Sequence, residues 1–226
     1  KISKDFSVPE SIATIMSLKS ITNKNQSKSF FYSDLNFLHN PLLMLDMDKA
    51  IERVLVSKSN NELILIIGDY DADGTTAASI LYLYFKSINI DVEYYIPNRQ
   101  TEGYGVSVNS IDYAHKIGAQ LIITCDCGIT AIEQIEYAKQ YNIDTIITDH
   151  HKQKDTLPQA LAILNPNRND CKYPFKGLCG AGVAFKLCLG INNELGNNLE
   201  DVLKYTDLVA IATTADVVPI IDENRL

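Results

Sequence analysis

The 226-residue sequence has no apolar run near the roughly 20 residues that a bilayer-spanning helix needs. Its N-terminus (KISKDFSVPE) also lacks the layout of a secretory signal. These absences predict a cytoplasmic protein without a membrane partner. Cysteines are few as well: there are five, an odd number at irregular positions, which favours reduced thiols over a disulfide framework. Internal repeats and low-complexity segments are missing, and 46% of the residues are hydrophobic, as in ordinary globular domains.

An excess of positive charge is also absent, because the formal net charge is −8. Proteins that bind nucleic acids gain much of their affinity from Lys and Arg, which displace counterions from the phosphates. A carboxylate cluster that holds two divalent cations, however, has about four of its negative charges cancelled locally. The net charge therefore neither indicates a DNA substrate nor excludes one.

Short apolar runs alternate with helical patterns from Leu63 onward, which predicts an α/β fold with a mostly parallel β-sheet flanked by helices. The runs are ELILIIG, VEYYIP, QLIITCD, DTIITD and LAILNP, and their lack of polar alternation is typical of strands buried on both faces. Helices are predicted over 46–58, TTAASILYLYFKSI, TAIEQIEYAKQYN, GLCGAGVAFKLCLG and LEDVLKYTDLVAIATTADVV. We expect a partly helical arm over residues 1–45 and one larger domain over 46–226.

Polar side chains follow three of the predicted strands, at the position where ligands bind in open α/β sheets. These residues are Asp69, Asp71, Asp73, Asp126, Asp149, His150 and His151. Each has an ordinary explanation when taken alone. Acids at alternate positions can form a solvated turn that caps the next helix, and a single Asp after a strand is a common helix cap.

Several familiar ion-binding motifs do not fit these strand ends. An EF-hand needs Glu at position 12, but position 12 counted from Asp69 is Ile80. A P-loop needs Lys after its glycines, and that lysine is missing. Cys125 and Cys127 flank Asp126, but they do not supply the paired elements of a structural zinc site, so buried thiols are the favoured interpretation.

The strand-end residues are more informative as a group, because the carboxyl ends of neighbouring parallel strands meet at one edge of a sheet. Asp216, after the apolar stretch DLVAIATTA, adds a further acid. So many carboxylates would repel one another without cations, and two bound divalent ions are the simplest explanation. Oxygen ligands with one or two imidazoles favour Mn²⁺, or Mg²⁺, over zinc or copper. Adjacent histidines point in different directions, so we expect one to bind metal and the other to face substrate.

Four segments occur in the order of the four motifs of the DHH phosphoesterases: GDYDADGTTAASIL, ITCDCGIT, TDHH and ATTADVVP. Further segments, YYIPNRQTEGYG, LNPNR, YPFKGLCGAGVAFKL and ENRL, resemble the RecJ branch of that family. The resemblance covers roughly residues 35–226. It implies that 46–226 is a DHH catalytic domain. It also implies a DHH-associated domain and an oligonucleotide-binding domain, which we expect to be absent from this chain.

The resemblance further implies roles for individual residues. A site for two manganese ions is implied by matches to the family's motifs at Asp71, Asp73, Asp126, His150 and Asp216, with Asp69 as a ligand or a supporting residue. His151 would face the scissile phosphate, as electrophile or as proton donor to the leaving 3′ oxygen. Asp126 is expected to be essential for hydrolysis. Asp149 would orient a histidine through its ring N–H rather than bind metal.

Two segments near these motifs leave alternatives open. Arg99 matches an arginine that helps RecJ-type enzymes recognise the substrate 5′ phosphate, although an isolated arginine after a strand is more often a surface charge. The glycine-rich GLCGAG opens a predicted helix. Its backbone N–H groups could bind a phosphate, or its glycines could serve close packing against the sheet.

The function implied by the resemblance is a metal-dependent 5′-to-3′ exonuclease that hydrolyses single-stranded DNA in repair and recombination. A helicase and a single-strand-binding protein are candidate partners. The alternatives are a DHH-type oligoribonuclease, cyclic-dinucleotide phosphodiesterase or pyrophosphatase, and a non-catalytic replication scaffold. The segments EGYG and GAGVAFKL argue against the other enzymes, and the filled ligand positions argue against a scaffold.

Overall fold

The structure is a computed structural model, and it describes residues 2–19, 21–31 and 34–226. Contacts divide the described chain into two units. One unit combines the residues up to His39 with Ile220–Leu226, and the other spans Asn40–Pro219. The larger unit contains the β-sheet and every candidate site residue.

The described residues form ten α-helices and five strands. The helices are α1 (Ile2–Phe6), α2 (Glu10–Leu18), α3 (Lys24–Phe31), α4 (Met47–Asn60), α5 (Ala72–Ser87), α6 (Val108–Ile117), α7 (Ile132–Gln140), α8 (Gly180–Glu194), α9 (Glu200–Leu203) and α10 (Thr206–Ala215). The strands are β1 (Ile64–Gly68), β2 (Val92–Tyr95), β3 (Leu121–Cys125), β4 (Asp144–Thr148) and β5 (Ala162–Leu164). Short 3₁₀ turns lie at Leu35–Phe37, Pro41–Leu43 and Asp222–Arg225.

The five strands form one parallel sheet in the order β2-β1-β3-β4-β5. Parallel neighbours need crossover connections, and α5, α6 and α7 supply them between the first four strands. Gly68 of β1 lies opposite Cys125 of β3, which lies opposite Thr148 of β4. These residues end their strands at the same level, so the residues that follow emerge side by side.

Helices cover both faces of the sheet. Successive side chains of a strand point to opposite faces, so Ile64 and Ile66 of β1 pack in a cluster with residues of α4, α5 and α8. Leu65 and Ile67 pack instead with residues of α6 and α7. Every residue of β1 and β3 is buried, which explains why these strand sequences are mostly apolar, with Thr124 as the polar residue.

Helix α8 is buried on all sides over most of its length. Residues Gly180–Asn192 are all buried, and the helix packs against α4, α5 and α10 as well as the sheet. A helix that is apolar all round is typical of such an interior position. This packing brings the first turn of α8 to the edge of the sheet where β1 and β3 end.

The smaller unit joins the two ends of the described chain. The backbone N–H of His39 donates a hydrogen bond to Oε1 of Glu223 over 2.8 Å, and its Nε2 lies 2.9 Å from Oδ1 of Asp222. The Arg225 guanidinium lies 3.9 Å from the centroid of the Phe30 ring. Helices α1, α2 and α3 fit the expected partly helical arm, although residues 1, 20, 32 and 33 lie outside the described residues. The arm boundary at residue 45 stays a prediction.

The fold prediction is confirmed: all five predicted strands are present, they are parallel, and helices flank the sheet. The predicted helix over 46–58 is α4, and the long helical stretch near the C-terminal end forms two helices, α9 and α10. Helix α6 was not singled out by the sequence patterns. Over the described ranges, none of the helices has the length and apolar character required to cross a membrane.

Candidate metal centre

Three aspartates directly follow the central strands and extend the sheet. The backbone N–H groups of Asp69, Asp126 and Asp149 donate hydrogen bonds to the last residue of the neighbouring strand, over 3.3, 2.9 and 3.0 Å. All three residues are buried. The predicted convergence of strand-end acids is therefore observed, because the shared hydrogen-bond ladder places them in one row.

His150 lies among three carboxylates. Its Nε2 is 3.1 Å from Oδ1 of Asp126, 3.7 Å from Oδ2 of Asp73 and 3.7 Å from Oδ2 of Asp216. Two candidate metal-binding groups share His150: one consists of Asp73, His150 and Asp216, and the other of Asp126, His150 and His151. The ligand atoms of each group lie within 4.8 Å of one another. Hard divalent cations lie roughly 2 Å from their ligands, which puts ligand atoms roughly 3–4 Å apart. The two groups therefore have the spacing expected around two adjoining cations.

The carboxylate of Asp73 is held by the N-terminus of α8. Its two oxygens accept hydrogen bonds from the backbone N–H groups of Gly180, over 2.6 Å, and Ala181, over 2.7 Å. Helix N-termini favour anions because their first N–H groups lack partners within the helix. A Cβ on Gly180 would lie 2.5 Å from the Cβ of Asp126, so glycine is required for this approach. The two alternatives for GLCGAG were close packing against the sheet and binding of a phosphate by backbone N–H groups. In the structure, Gly180 allows close packing against Asp126, and the N–H groups bind the Asp73 carboxylate.

Some buried polar atoms at this site have no hydrogen-bond partner. Among the described residues these are Oδ2 of Asp69, Oδ1 of Asp126 and Nε2 of His150. Although the last two atoms are 3.1 Å apart, they are not aligned for a hydrogen bond. A buried polar group without a partner costs about 1–3 kcal/mol, and a charged one costs more. Bound cations would satisfy these atoms, so the donor set fits the metal site that the sequence predicts.

Burial opposes ionisation of two acids of the cluster, Asp73 and Asp126. Burial raises the pKa of Asp126 to about 7, and the nearby Asp73 carboxylate adds to the shift. Burial likewise raises the pKa of Asp73. Burial acts to lower the pKa of His150, but the nearby carboxylates of Asp126 and Asp73 together outweigh this effect, so the pKa is raised. Divalent cations would favour the ionised carboxylates and the neutral imidazole, which are the forms that bind metal.

The three acids of the first strand end have different surroundings. Asp71 is exposed and caps α5, since its Oδ1 accepts a hydrogen bond from the N–H of Gly74 over 2.9 Å. Asp69 is buried, and its Oδ1 accepts a hydrogen bond from the N–H of Gly105 over 3.3 Å. Only Asp73 joins a metal-binding group found among the described residues. The helix-capping explanation holds for Asp71, while metal ligation by Asp69 and Asp71 stays a prediction.

Asp149 binds His151 and the backbone around it. Its Oδ1 lies 2.8 Å from Nδ1 of His151 and accepts the backbone N–H groups of His150 and His151 over 2.7 and 3.0 Å. Its Oδ2 accepts the N–H of Ile129 over 2.9 Å. The hydrogen bond to Asp149 is the main cause that raises the pKa of His151 to about 9. Both carboxylate oxygens are thus engaged, which matches the expected role of orienting a histidine.

Two asparagines that the sequence patterns did not single out hold the histidine pair. The side-chain amide of Asn165 donates to the backbone carbonyl of His151 over 2.9 Å, and that of Asn167 donates to the carbonyl of His150 over 2.6 Å. Both lie in LNPNR, directly after β5. Their position at the end of a fourth strand was the available signal.

Arg99 lies at the end of a row of aromatic side chains that leads to His151. The guanidinium of Arg99 is exposed and lies 5.3 Å from the centroid of the Tyr70 ring. The rings of Tyr70 and Tyr104 pack in a T-shaped arrangement with their centroids 6.3 Å apart. The rings of Tyr104 and His151 do the same with their centroids 6.0 Å apart. The structure thus connects Arg99 to the metal-binding groups through two tyrosines, and Tyr104 was not among the predicted site residues.

The cysteines that flank Asp126 lie outside the metal-binding groups of the described residues. Cys125 packs in the apolar cluster with α5 and α8, whereas Cys127 packs in the cluster on the opposite face of the sheet. All five cysteines are free and buried. The interpretation as buried thiols is therefore confirmed.

Comparison with known proteins gives consistent results. The model of the DHH family, N-terminal domain, matches residues 63–213. The single-stranded-DNA-specific exonuclease RecJ of Bacillus subtilis is 38% identical over 215 residues, which cover 95% of this chain and 27% of that protein. The protein of the same name from Escherichia coli is 40% identical over 190 residues, 80% of this chain and 33% of that protein.

A solved structure that shares the fold also matches most of this chain. The crystal structure of an exonuclease RecJ bound to manganese has a TM-score of 0.76 and 32% sequence identity. The match covers 85% of this chain and 47% of that one. The chain thus spans about a third of the length of the curated relatives named above.

Proposed function

The chain belongs to the DHH family, and on that basis we propose that it forms the two-metal active centre of a 5′-to-3′ exonuclease that hydrolyses single-stranded DNA. The main support is the cluster of Asp73, Asp126, Asp216 and His150. Within it, two buried polar atoms, Oδ1 of Asp126 and Nε2 of His150, lack hydrogen-bond partners. The similarity to the RecJ exonucleases supports the choice of substrate. The polarity of degradation and the roles in repair and recombination follow from the resemblance.

The proposed metal ligands are Asp73, Asp126, His150 and Asp216, joined by Asp69 and Asp71, while His151 is assigned to the substrate. Oxygen-rich ligands with one imidazole favour Mn²⁺, and Mg²⁺ is the alternative. When bound, the two ions supply an activated water and stabilise the charge on the attacking and leaving oxygens of an in-line displacement.

The residues of the chain arrange and protonate the reacting groups. The α8 amides fix Asp73, and the strand-end ladder fixes Asp126. Asp149 accepts from Nδ1 of His151, and Nε2 on the other side of the ring lies 3.3 Å from the Tyr104 hydroxyl. We assign to that Nε2 contact with the scissile phosphate or transfer of a proton to the leaving 3′ oxygen.

Arg99 is the proposed contact for the substrate 5′ phosphate. Its guanidinium is exposed, and among the described residues its recorded contact is the face of Tyr70, which leaves its N–H groups available. A planar guanidinium can bind a phosphate through two parallel hydrogen bonds. The row of rings from Arg99 to His151 would then separate the terminal phosphate from the scissile one.

The proposal extends to domain organisation and cellular context. Residues 46–226 are assigned to the DHH catalytic domain and residues 1–45 to an N-terminal arm. A cytoplasmic location and cooperation with a helicase and a single-strand-binding protein complete the proposal. Identifying the proteins that copurify with a tagged version of this chain from cells would test the two proposed partners, the helicase and the single-strand-binding protein.

The direct test is an activity assay with the purified protein and Mn²⁺. The substrates are a 5′-labelled single-stranded oligonucleotide, the matched duplex, a short oligoribonucleotide, a cyclic dinucleotide and pyrophosphate. We expect mononucleotides to be released from the single strand and little product from the duplex. Hydrolysis of only the oligoribonucleotide, cyclic dinucleotide or pyrophosphate would replace the proposal by another DHH-type activity.

A non-catalytic scaffold is separated from an enzyme by metal binding. Calorimetric titration with Mn²⁺ should give two binding events in the wild-type protein. The matched control is Asp201→Asn on α9, an exposed acid outside the metal-binding groups. Absence of Mn²⁺ binding together with absence of hydrolysis would support a scaffold.

A further inference from the structure

Tyr104 places its hydroxyl between the metal-binding acid Asp126 and the histidine His151. The hydroxyl donates a hydrogen bond to the backbone carbonyl of Asp126 over 3.1 Å and lies 3.3 Å from Nε2 of His151. Tyr104 lies in the loop between β2 and α6, whereas Asp126 follows β3 and His151 lies just after β4. The contact therefore links three separate parts of the chain at the edge of the site.

His151 needs more than Asp149 to fix its ring. The bond between Nδ1 and Asp149 holds one corner of the imidazole, but the ring torsion of a histidine is broad, and the side chain is 45% exposed. The Tyr104 hydroxyl contacts Nε2 on the opposite side of the imidazole. The Tyr104 ring also packs against the imidazole in a T-shaped arrangement, with the centroids 6.0 Å apart. Two contacts on opposite nitrogens restrict the orientation of the ring, and the contact at Nε2, at 3.3 Å, is long enough for that N–H to be shared with a substrate oxygen.

The surroundings of Tyr104 argue against a purely structural role. The residue is 55% exposed and does not belong to the apolar clusters of the described residues. Its contacts are instead with Asp126, His151 and the edge of Tyr70. Tyr104→Phe removes one hydrogen bond to the Asp126 carbonyl, which costs about 0.5–1.5 kcal/mol. This is a small part of the stability of a typical domain, so a change in function can be measured without loss of the fold.

We propose that Tyr104 is a positioning residue that holds the His151 imidazole in the orientation used at the scissile phosphate. This inference rests on the proposed function of His151. It predicts that the hydroxyl matters for the rate of the chemical step and that it matters little for substrate affinity or for metal binding. An alternative role for Tyr104, stacking on a base of the substrate, makes the opposite prediction for affinity.

The first test observes the imidazole itself. The sequence has four histidines, His39, His115, His150 and His151, so spectra of the protein with ¹⁵N-labelled histidine are simple enough to assign. In Mg²⁺, Tyr104→Phe should shift and broaden the ring signals of His151 and leave those of His115 unchanged. Unchanged His151 signals would overturn the inference. This measurement does not depend on catalysis, so it decides the inference even if the protein cleaves no single-stranded DNA.

The second test measures rate and affinity separately. Tyr104→Phe should lower kcat on a single-stranded oligonucleotide about tenfold, the usual size for one hydrogen bond to a catalytic group. KM and the Mn²⁺ concentration for half-maximal rate should stay unchanged. The matched control is Tyr94→Phe, because Tyr94 is 56% exposed and lies on the edge strand β2. A raised KM with unchanged kcat would indicate base stacking and overturn the inference.

A double-mutant cycle then asks whether Tyr104 acts through His151. If it does, Tyr104→Phe should cause no further loss in a His151→Gln background, because the group that it positions is already gone. Equal losses in both backgrounds would contradict the inference. Wild-type protein that fails to cleave single-stranded DNA would contradict the proposed function instead, and the histidine spectra would still report on the ring.

Discussion

The candidate site has two walls that differ in burial and in hydrogen bonding. The inner wall consists of Asp73, Asp126 and His150, which have side chains 2%, 2% and 12% exposed. The outer wall consists of His151, 45% exposed, and Tyr104, 55% exposed, and it continues to the exposed Arg99. The inner wall retains polar atoms without partners, whereas both ring nitrogens of His151 have contacts.

This difference indicates a division of labour. Buried acids with unsatisfied oxygens are costly in a folded protein unless cations neutralise them. Exposed groups that are already oriented by neighbours cost little and remain open to a ligand. The inner wall is thus suited to hold metal, and the outer wall is suited to contact substrate. The division would fail if substitutions in the two walls had the same effects on metal binding and on catalysis.

Asp126→Asn should have the largest effect, because Asp126 belongs to the inner wall and touches both histidines. The amide keeps the size of the side chain but removes its charge. Losing several kcal/mol of transition-state stabilisation corresponds to a fall in kcat/KM of about 10³-fold or more. The rate on a single-stranded oligonucleotide with Mn²⁺ is the measurement.

The fold of Asp126→Asn should survive, since its backbone N–H still bonds to the end of β4. Its circular dichroism should match that of wild type, and its Tm without metal should be no lower, because the amide removes a buried charge. Asp201→Asn is again the exposed control. Activity close to wild type in Asp126→Asn would remove this carboxylate from the mechanism.

The adjacent histidines should respond differently to the same substitution. His150→Gln should weaken Mn²⁺ binding, because Nε2 of His150 lies among three carboxylates. His151→Gln should keep most of the Mn²⁺ affinity and lower kcat about 10²-fold, the usual contribution of a general acid. The measurement pairs calorimetric Mn²⁺ titration with steady-state kinetics.

Thermal melts offer an independent view of the two histidines. A ligand at 100 times its Kd stabilises the folded state by about 2.7 kcal/mol. Added Mn²⁺ should therefore raise the Tm of His151→Gln and have a smaller effect on His150→Gln. Equal loss of the Mn²⁺ response in both variants would mean that the two walls do not have separate roles.

Gly180→Ala should disturb the inner wall through the backbone of α8. The new Cβ would lie 2.5 Å from the Cβ of Asp126, so α8 must shift away from the two amide contacts with Asp73. Overpacking of this kind costs about 1–3 kcal/mol of the free energy of unfolding. We also expect weaker Mn²⁺ binding, measured by titration.

Gly182→Ala is the matched control in the same helix. Its new Cβ would meet the Leu178 side chain at 3.3 Å, and the nearest atoms to it are all of Leu178 rather than of a carboxylate. Alanine also favours a helix interior. Its Mn²⁺ affinity should equal that of wild type. If both glycine variants lost Mn²⁺ affinity equally, general destabilisation of α8 would account for the result, and close packing at Asp126 would not.

Much of the fold was predictable because the local signals agree with one another. Apolar runs without alternation marked the buried strands, and the rule for strand ends brought Asp126, Asp149 and the histidine pair to one edge. The order of the strands was not predicted. The strand order depends on how the crossover helices pack, and the pattern of a single strand or helix carries no information about that packing.

The details of the site depended on local backbone geometry that spacing does not show. Asp71 and Asp73 are equivalent in the pattern D-x-D, but α5 begins at Ala72, so Asp71 becomes its cap and Asp73 turns toward α8. Asp126 adopts a left-handed backbone with φ 58°, which is uncommon for residues other than glycine. Tyr104 reaches the site from a loop between β2 and α6, and no spacing rule links it to His151.

The smallest effect is expected for Arg99→Lys on the outer wall. Lysine keeps the positive charge but loses the planar fork that can hold a phosphate through two hydrogen bonds. For a 5′-phosphorylated single strand, KM should rise roughly threefold to tenfold, which corresponds to about one hydrogen bond. A 5′-hydroxyl strand of the same sequence should show little change, and Mn²⁺ affinity should stay at the wild-type value because Arg99 lies outside the metal-binding groups of the described residues. An equal rise in KM for both strands would show that Arg99 attracts DNA only through its charge, and the outer wall would then lack a specific contact for the 5′ end.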